Sequence, residues 1–315
     1  MVSPLVTTLA NSTYDSQARP LSDAADNKHS QPGNTENPNT NANRIVDTVS
    51  ISDAARQAAQ NAINNASTQY YEQFVPTHEG FSATALAAAV SNPDLESFSA
   101  GKSFKQVAAD ARAALDKNYE RLKDINKPYG HENARQKDIN SLFGDLDRRA
   151  LYAVSSNEGG LFTQDEQNTA RNKMSQQQGL AMGLYNGPIN QKSNFIDPFL
   201  GDKAQQFKAG IQFLDKVSNE EKAGSIEFAV QRAGLQRGYE SFIRDQGKIP
   251  EDLSTDHPLV NLILAARDAL AENSSRGQTK GAVENADDLR NQLWFEGFEH
   301  RLDTVIQETR DLYLQ

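Results

Sequence analysis

Apolar residues recur every three to four positions from Phe104 onward, the spacing of helices that bury one face. Phe104, Val107, Ala108, Ala111, Leu115 and Leu122 share one face, and Ser103 with Gln106 forms a capping-box pattern at its start. Ile139, Leu142, Phe143, Leu146, Ala150 and Val154 make a second stripe. Thr163 and Glu166 frame a third helix carrying Ala170, Met174, Ala181 and Leu184. Ser218 and Glu221 do the same for a helix with Ile226, Ala229, Val230, Ala233 and Phe242. Pro258 suits a first helical turn, followed by Leu259, Leu262, Ile263, Ala266 and Leu270. Trp294, Phe298, Leu302, Val305 and Leu312 place a C-terminal helix. Alternation is confined to Val46, Val49 and Ile51, just before Ser52 or Asp53 can cap the first helix. The pattern predicts an all-α fold, a multi-helix, bundle-like body.

Ahead of that body, residues 1–45 are rich in Ser, Thr, Asn, Gln, Pro and Asp. The stretch HSQPGNTENPNTNANR has no apolar residue larger than alanine, so it cannot offset its ordering entropy and is predicted to be a disordered polar tail. Residues 46–185 then form an N-terminal helical lobe, and residues 203–315 a C-terminal one. Between them, YNGPINQKSNFIDPFLGD breaks the helical period with Pro188, Pro198 and several Asn and Gly residues. This loop, 186–202, carries Phe195, Ile196, Phe199 and Leu200. That is apolar for a connection, and it makes these four residues candidates for binding a partner.

Charge and cysteine content narrow the function. A formal net charge of −10 opposes nonspecific nucleic-acid binding, which draws its affinity from Lys and Arg on phosphates. With no cysteine, disulfides, thiolate catalysis and thiolate metal sites are excluded. No apolar run approaches the roughly 20 residues that span a bilayer, so no membrane association is expected. The N-terminus lacks a basic start followed by an apolar segment, which fits a cytoplasmic protein or one exported without a cleaved signal peptide.

The chemistry-bearing stretch is ALYAVSSNEGGLFTQDEQNTARNKM, residues 150–174. From Ser155 to Glu166 it has the length of a calcium loop, with Asn157 third, Gly160 sixth, Phe162 eighth, Thr163 ninth and Glu166 twelfth. Over about residues 146–174 the chain resembles an EF-hand. The resemblance implies metal ligation by Ser155, Asn157, Thr163 and Glu166. Ser155 stands where the family has aspartate and Gly159 offers no side-chain ligand, so the resemblance implies weak calcium at most. The same residues also read as a metal-free joint: Gly159 and Gly160 end one helix, and Thr163 with Glu166 starts the next.

Other readings are local. AVSSNEGG resembles the helix-terminal glutamate of lytic transglycosylases, which implies a peptidoglycan-cleaving enzyme with Glu158 as general acid. VSISDAAR resembles a segment of flagellar anti-sigma factors, which implies a sigma-factor antagonist. The polar tail resembles type III and flagellar export signals in composition. Gly101-Lys102-Ser103 lacks the upstream glycine of a phosphate loop, where Glu96 stands, and reads as a helix start. None of the five histidines pairs at helical metal-ligand spacing, which leaves surface or capping roles. With no complete catalytic constellation, the expected function is that of a non-catalytic bacterial protein working through contact with a protein partner. No cofactor is expected beyond the weak calcium that the loop resemblance implies.

Overall fold

The computed structural model describes residues 71–72, 83–131, 134, 136–186, 192–193, 195–271 and 281–314. The tail at 1–45 and the cap at Ser52 or Asp53 lie outside them. The fold is all-α, with no strand among the described residues. In chain order the helices are α1 Ala83–Ser91, α2 Phe104–Asp124, α3 Gln136–Phe143, α4 Arg148–Ser155, α5 Gln164–Ala181 and α6 Lys203–Asp215. They continue with α7 Asn219–Gly224, α8 Ile226–Asp245, α9 Pro258–Ala271, α10 Ala286–Arg290 and α11 Glu299–Tyr313.

Several boundaries follow from capping chemistry. Ser103 accepts from the Gln106 amide while the Gln106 side chain returns to the Ser103 amide, so α2 begins with a complete capping box. Thr163 and Glu166 do the same for α5. Lys102 donates to the Phe98 carbonyl and pairs with Asp110, as suits a residue leading into a helix.

Four stripes predicted as single helices are interrupted or shortened. The run from Ile139 to Val154 is split between α3 and α4, because Asp147 leaves the helix to cap α4. Its Oδ1 accepts from Ala150 N, and its Oδ2 accepts from Phe98 N, Ser99 N and Ser99 Oγ, each at 2.8 Å. The run beginning at Ser218 breaks at Ser225, whose extended backbone ends α7 and whose hydroxyl caps α8. Leu184 falls beyond α5, which ends at Ala181; Gly183 follows at φ +67°, and the Leu184 amide turns back to the Gly179 carbonyl. Trp294 sits in a single 3-10 turn, Leu293–Phe295, and Phe298 precedes α11, because Gly297 at φ +93° separates the two.

The apolar faces meet in two main cores on either side of residues 186–202. In one, Val107, Ala111 and Leu115 of α2 close on Leu142, Phe143, Leu151, Val154, Phe162 and Ala170. In the other, Phe213, Leu214, Phe228, Ala233, Ile263, Phe295 and Leu302 pack together. Helix α4 lies between α2 and α5, α8 between α6 and α9, and α11 against both α7 and α9.

Ion pairs join the two cores. Arg148 at the start of α4 grips Glu221 of α7 through both oxygens, at 2.9 and 2.6 Å, and each side chain is 4% exposed. Its remaining donor reaches the Met174 carbonyl at 2.6 Å, and its guanidinium stacks 5.2 Å from the Phe213 ring. Arg149 holds Glu220 beside it. Within the C-terminal core, buried His257 accepts from Val260 N at Nδ1 and lies 3.0 Å from the Lys222 carbonyl at Nε2, so Nε2 carries the proton. It therefore caps α9. On the N-terminal side, Lys173 of α5 is 3% exposed and donates to Asn140 Oδ1, and burial pulls its pKa down to about 7.

Arg148→Met should destabilise the protein by about 3–5 kcal/mol, since it leaves Glu221 buried and uncompensated. The double change Arg148→Met with Glu221→Leu should recover most of that loss, as read from urea unfolding by circular dichroism. Equal loss in both variants would contradict a paired role. A second expectation concerns pH. Lys173 titrates at about 7 when folded and 10.5 when free, so its burial penalty is complete below pH 7 and is relieved as pH rises toward 10.5. Between pH 7 and 9 the wild type should gain about 2 kcal/mol relative to a Lys173→Met, Asn140→Leu variant.

Candidate functional site

Two segments singled out in the sequence are described, and they differ in what they offer to a ligand. At the joint of α4 and α5, every candidate ligand oxygen is committed within the chain. Ser155 Oγ donates to the Tyr152 carbonyl at 3.1 Å. Asn157, at φ +55°, uses Oδ1 to accept from Phe162 N at 2.9 Å. Thr163 Oγ1 accepts from Glu166 N at 3.3 Å. Gly159 and Gly160, at φ +71° and +69°, carry the chain through the left-handed region between them.

Glu166 is the most constrained of the set. It is 2% exposed, both of its oxygens accept from Arg112 at 2.9 Å, and Oε2 also accepts from Thr163 N at 2.8 Å. Burial alone would raise its pKa, but the Thr163 amide and the Arg112 guanidinium outweigh burial and hold the carboxyl below its ordinary range. Arg112 in turn pairs with Asp116 at 2.7 Å and lies over the Phe162 ring. The one carboxylate that an EF-hand would give to calcium is thus already neutralised by a fixed cation. Glu158 stands half-buried on the 3-10 turn Glu158–Gly160 in the same bend.

The turn before α6 is built differently. Asp197 organises it: Oδ1 accepts from Phe199 N at 2.9 Å, and Oδ2 accepts from Gly201 N at 2.8 Å and from Gln206 Nε2 at 3.0 Å. The Leu200 amide closes onto the Asp197 carbonyl, and Asp202 caps α6 through the amides of Ala204 and Gln205. Phe199 is half-buried over Gly183, where an added Cβ would stand 2.7 Å from its ring. Phe195 packs against Tyr185 with the rings tilted by 58° and their centroids 5.5 Å apart.

On this scaffold the four candidate residues divide into anchors and presented groups. Phe195 and Phe199 are half-buried anchors. Ile196 is 58% exposed and Leu200 is 89% exposed, with Leu200 at φ +52°. A left-handed leucine costs about 1–2 kcal/mol, and Asp197 and the α6 cap hold it there.

Pattern reading also missed charged groups that the fold takes inward: Lys173 and Arg148, which are buried, and Arg267, which is half-buried. A single cation inside an apolar stripe, as Arg267 is within LVNLILAARDAL, was the available signal. No family model, curated protein or solved structure matches this chain.

Calcium at millimolar concentration, enough for weak oxygen sites, should leave the melting temperature unchanged while Arg112 holds Glu166. A rise in melting temperature that Glu166→Gln abolishes would show that calcium displaces the guanidinium.

Proposed function

We propose that this protein acts without catalysis, by contact with a protein partner that receives the turn at residues 195–202. The observation that carries the reading is Leu200: a large apolar side chain, almost fully exposed, on a backbone conformation that leucine disfavours. Strain of this kind persists where surrounding structure over-determines it, and it concentrates at binding and switching sites. A glycine at position 200 would relieve the strain without disturbing Asp197, so the fold itself does not require leucine there. Presented Leu200 and Ile196, backed by half-buried Phe199 and Phe195, have the anatomy of an interface anchor. Rigid support lowers the ordering cost of binding, and apolar tips supply area to bury. The partner is expected to offer an apolar pocket of leucine size.

Leu200→Gly should keep the fold and raise stability by about 0.5–1 kcal/mol, because glycine adopts positive φ freely. A photo-crosslinking residue at position 200 of the full chain, expressed in its source cells, should give discrete protein adducts. The same residue at exposed Lys105 should not. With the crosslinker moved to Pro198, Leu200→Gly should cut adduct yield at least about tenfold, the weight of one buried leucine. Matching adduct patterns at positions 200 and 105 would refute the reading.

A further inference from the structure

Most arginines that enter the interior of this protein meet carboxylates; Arg121 meets the Asn118 side chain and the Ser141 carbonyl instead, and Arg267 departs further. Arg112 holds Glu166, Arg148 holds Glu221, Arg149 holds Glu220 and Arg232 holds Asp215. Arg267 of α9 lies over Trp294, its guanidinium carbon 4.1 Å from the ring centroid. Its Nε is buried and finds no acceptor among the described residues. The indole Nε1 of Trp294 is likewise buried without an acceptor, and Trp294 is 3% exposed. Two unsatisfied N–H donors therefore share one stacked pair. Burial, joined by the like charge of Arg237, lowers the Arg267 pKa to about 10. Arg237 cannot be relieved from this side, since it is already paired with Asp268.

A buried donor left unmade is costly, and a desolvated guanidinium without an anion costs more. The aromatic face offsets part of this, about 2 kcal/mol when desolvated. What remains unmet is one positive charge and one buried N–H, at Nε. Arg267 is half-buried as a residue, so part of it stays open to solution. We propose that the Arg267–Trp294 pair is a binding site for a carboxylate, taken on the guanidinium edge. A carboxylate matches both terms. It carries a single charge against a single guanidinium with no carboxylate partner among the described residues, and its planar pair of oxygens is the shape a guanidinium fork binds. Phosphate would bring a second charge that this site does not balance. The site lies on α9 and the 3-10 turn Leu293–Phe295, and uses no residue of the turn at 195–202.

Trp294 is the single tryptophan of the chain, so its fluorescence reports on the site directly. The full chain is titrated at constant ionic strength with acetate, with a short glutamate-containing peptide, with inorganic phosphate and with chloride. A saturable change with acetate or the peptide, absent with chloride, is the expected result. Tighter saturation by the peptide assigns the carboxylate to a polypeptide side chain, and equal saturation assigns it to a small acid; either supports the site. Arg267→Gln should weaken the response at least tenfold. Arg267→Lys, which keeps the charge without the planar fork, should weaken it by less and serves as the test if Arg267→Gln fails to fold. Saturation by phosphate but not by carboxylates would overturn the proposal. So would superimposable curves for every salt, or variants that titrate like the wild type.

Discussion

The Arg148–Glu221 pair is the interaction on which the arrangement of the two cores depends. It is bidentate, almost fully buried, and spans 73 residues of chain from the start of α4 to the first turn of α7. The same guanidinium satisfies the Met174 carbonyl and stacks on Phe213, so it touches α4, α5, α6 and α7 at once. Hydrophobic burial is non-directional and would tolerate several ways of docking one core on the other. A buried ion pair tolerates very few, because any misplacement strands a charge. Stability comes mostly from the cores, and their registration from this pair and its neighbour Arg149–Glu220.

The same local motif serves two ends, which shows where sequence reading stops. Thr163 with Glu166 and Ser218 with Glu221 look alike as text, and in both the hydroxyl caps the amide three residues on. Glu166 also returns to the Thr163 amide, completing a capping box, and it meets Arg112. Glu221 is drawn away to Arg148. Helix starts were legible because capping is a property of four adjacent residues. The destination of a carboxylate was not, because its partner lies tens of residues away.

Helix continuity was over-read for a related reason. Periodicity carries through a break when both halves bury the same face, as Ile139 through Val154 do across Asp147. A polar residue with several tertiary acceptor bonds can interrupt such a stripe at little cost, and Asp147 takes three of its bonds from Phe98 and Ser99. The turn at 195–202 lies within the stretch that reads as an apolar break. The split between anchoring Phe199 and presented Leu200 was not legible, since it depends on Gly183 opening space for the phenylalanine ring.

Charge placement links these observations. An acidic chain with a net charge of −10 has carboxylates to spare, and it supplies one to each of Arg112, Arg148, Arg149 and Arg232. An unmet guanidinium in such a chain is therefore not explained by a shortage of anions. Arg267 has Asp268 next to it in sequence, yet that carboxylate faces Arg237 across to α8. Successive residues on a helix point about 100° apart, so Asp268 cannot serve both arginines. The geometry that satisfies Arg237 is the geometry that leaves Arg267 on the indole with its Nε–H unmatched. This separates Arg267 from the structural ion pairs that Arg112, Arg148, Arg149 and Arg232 form.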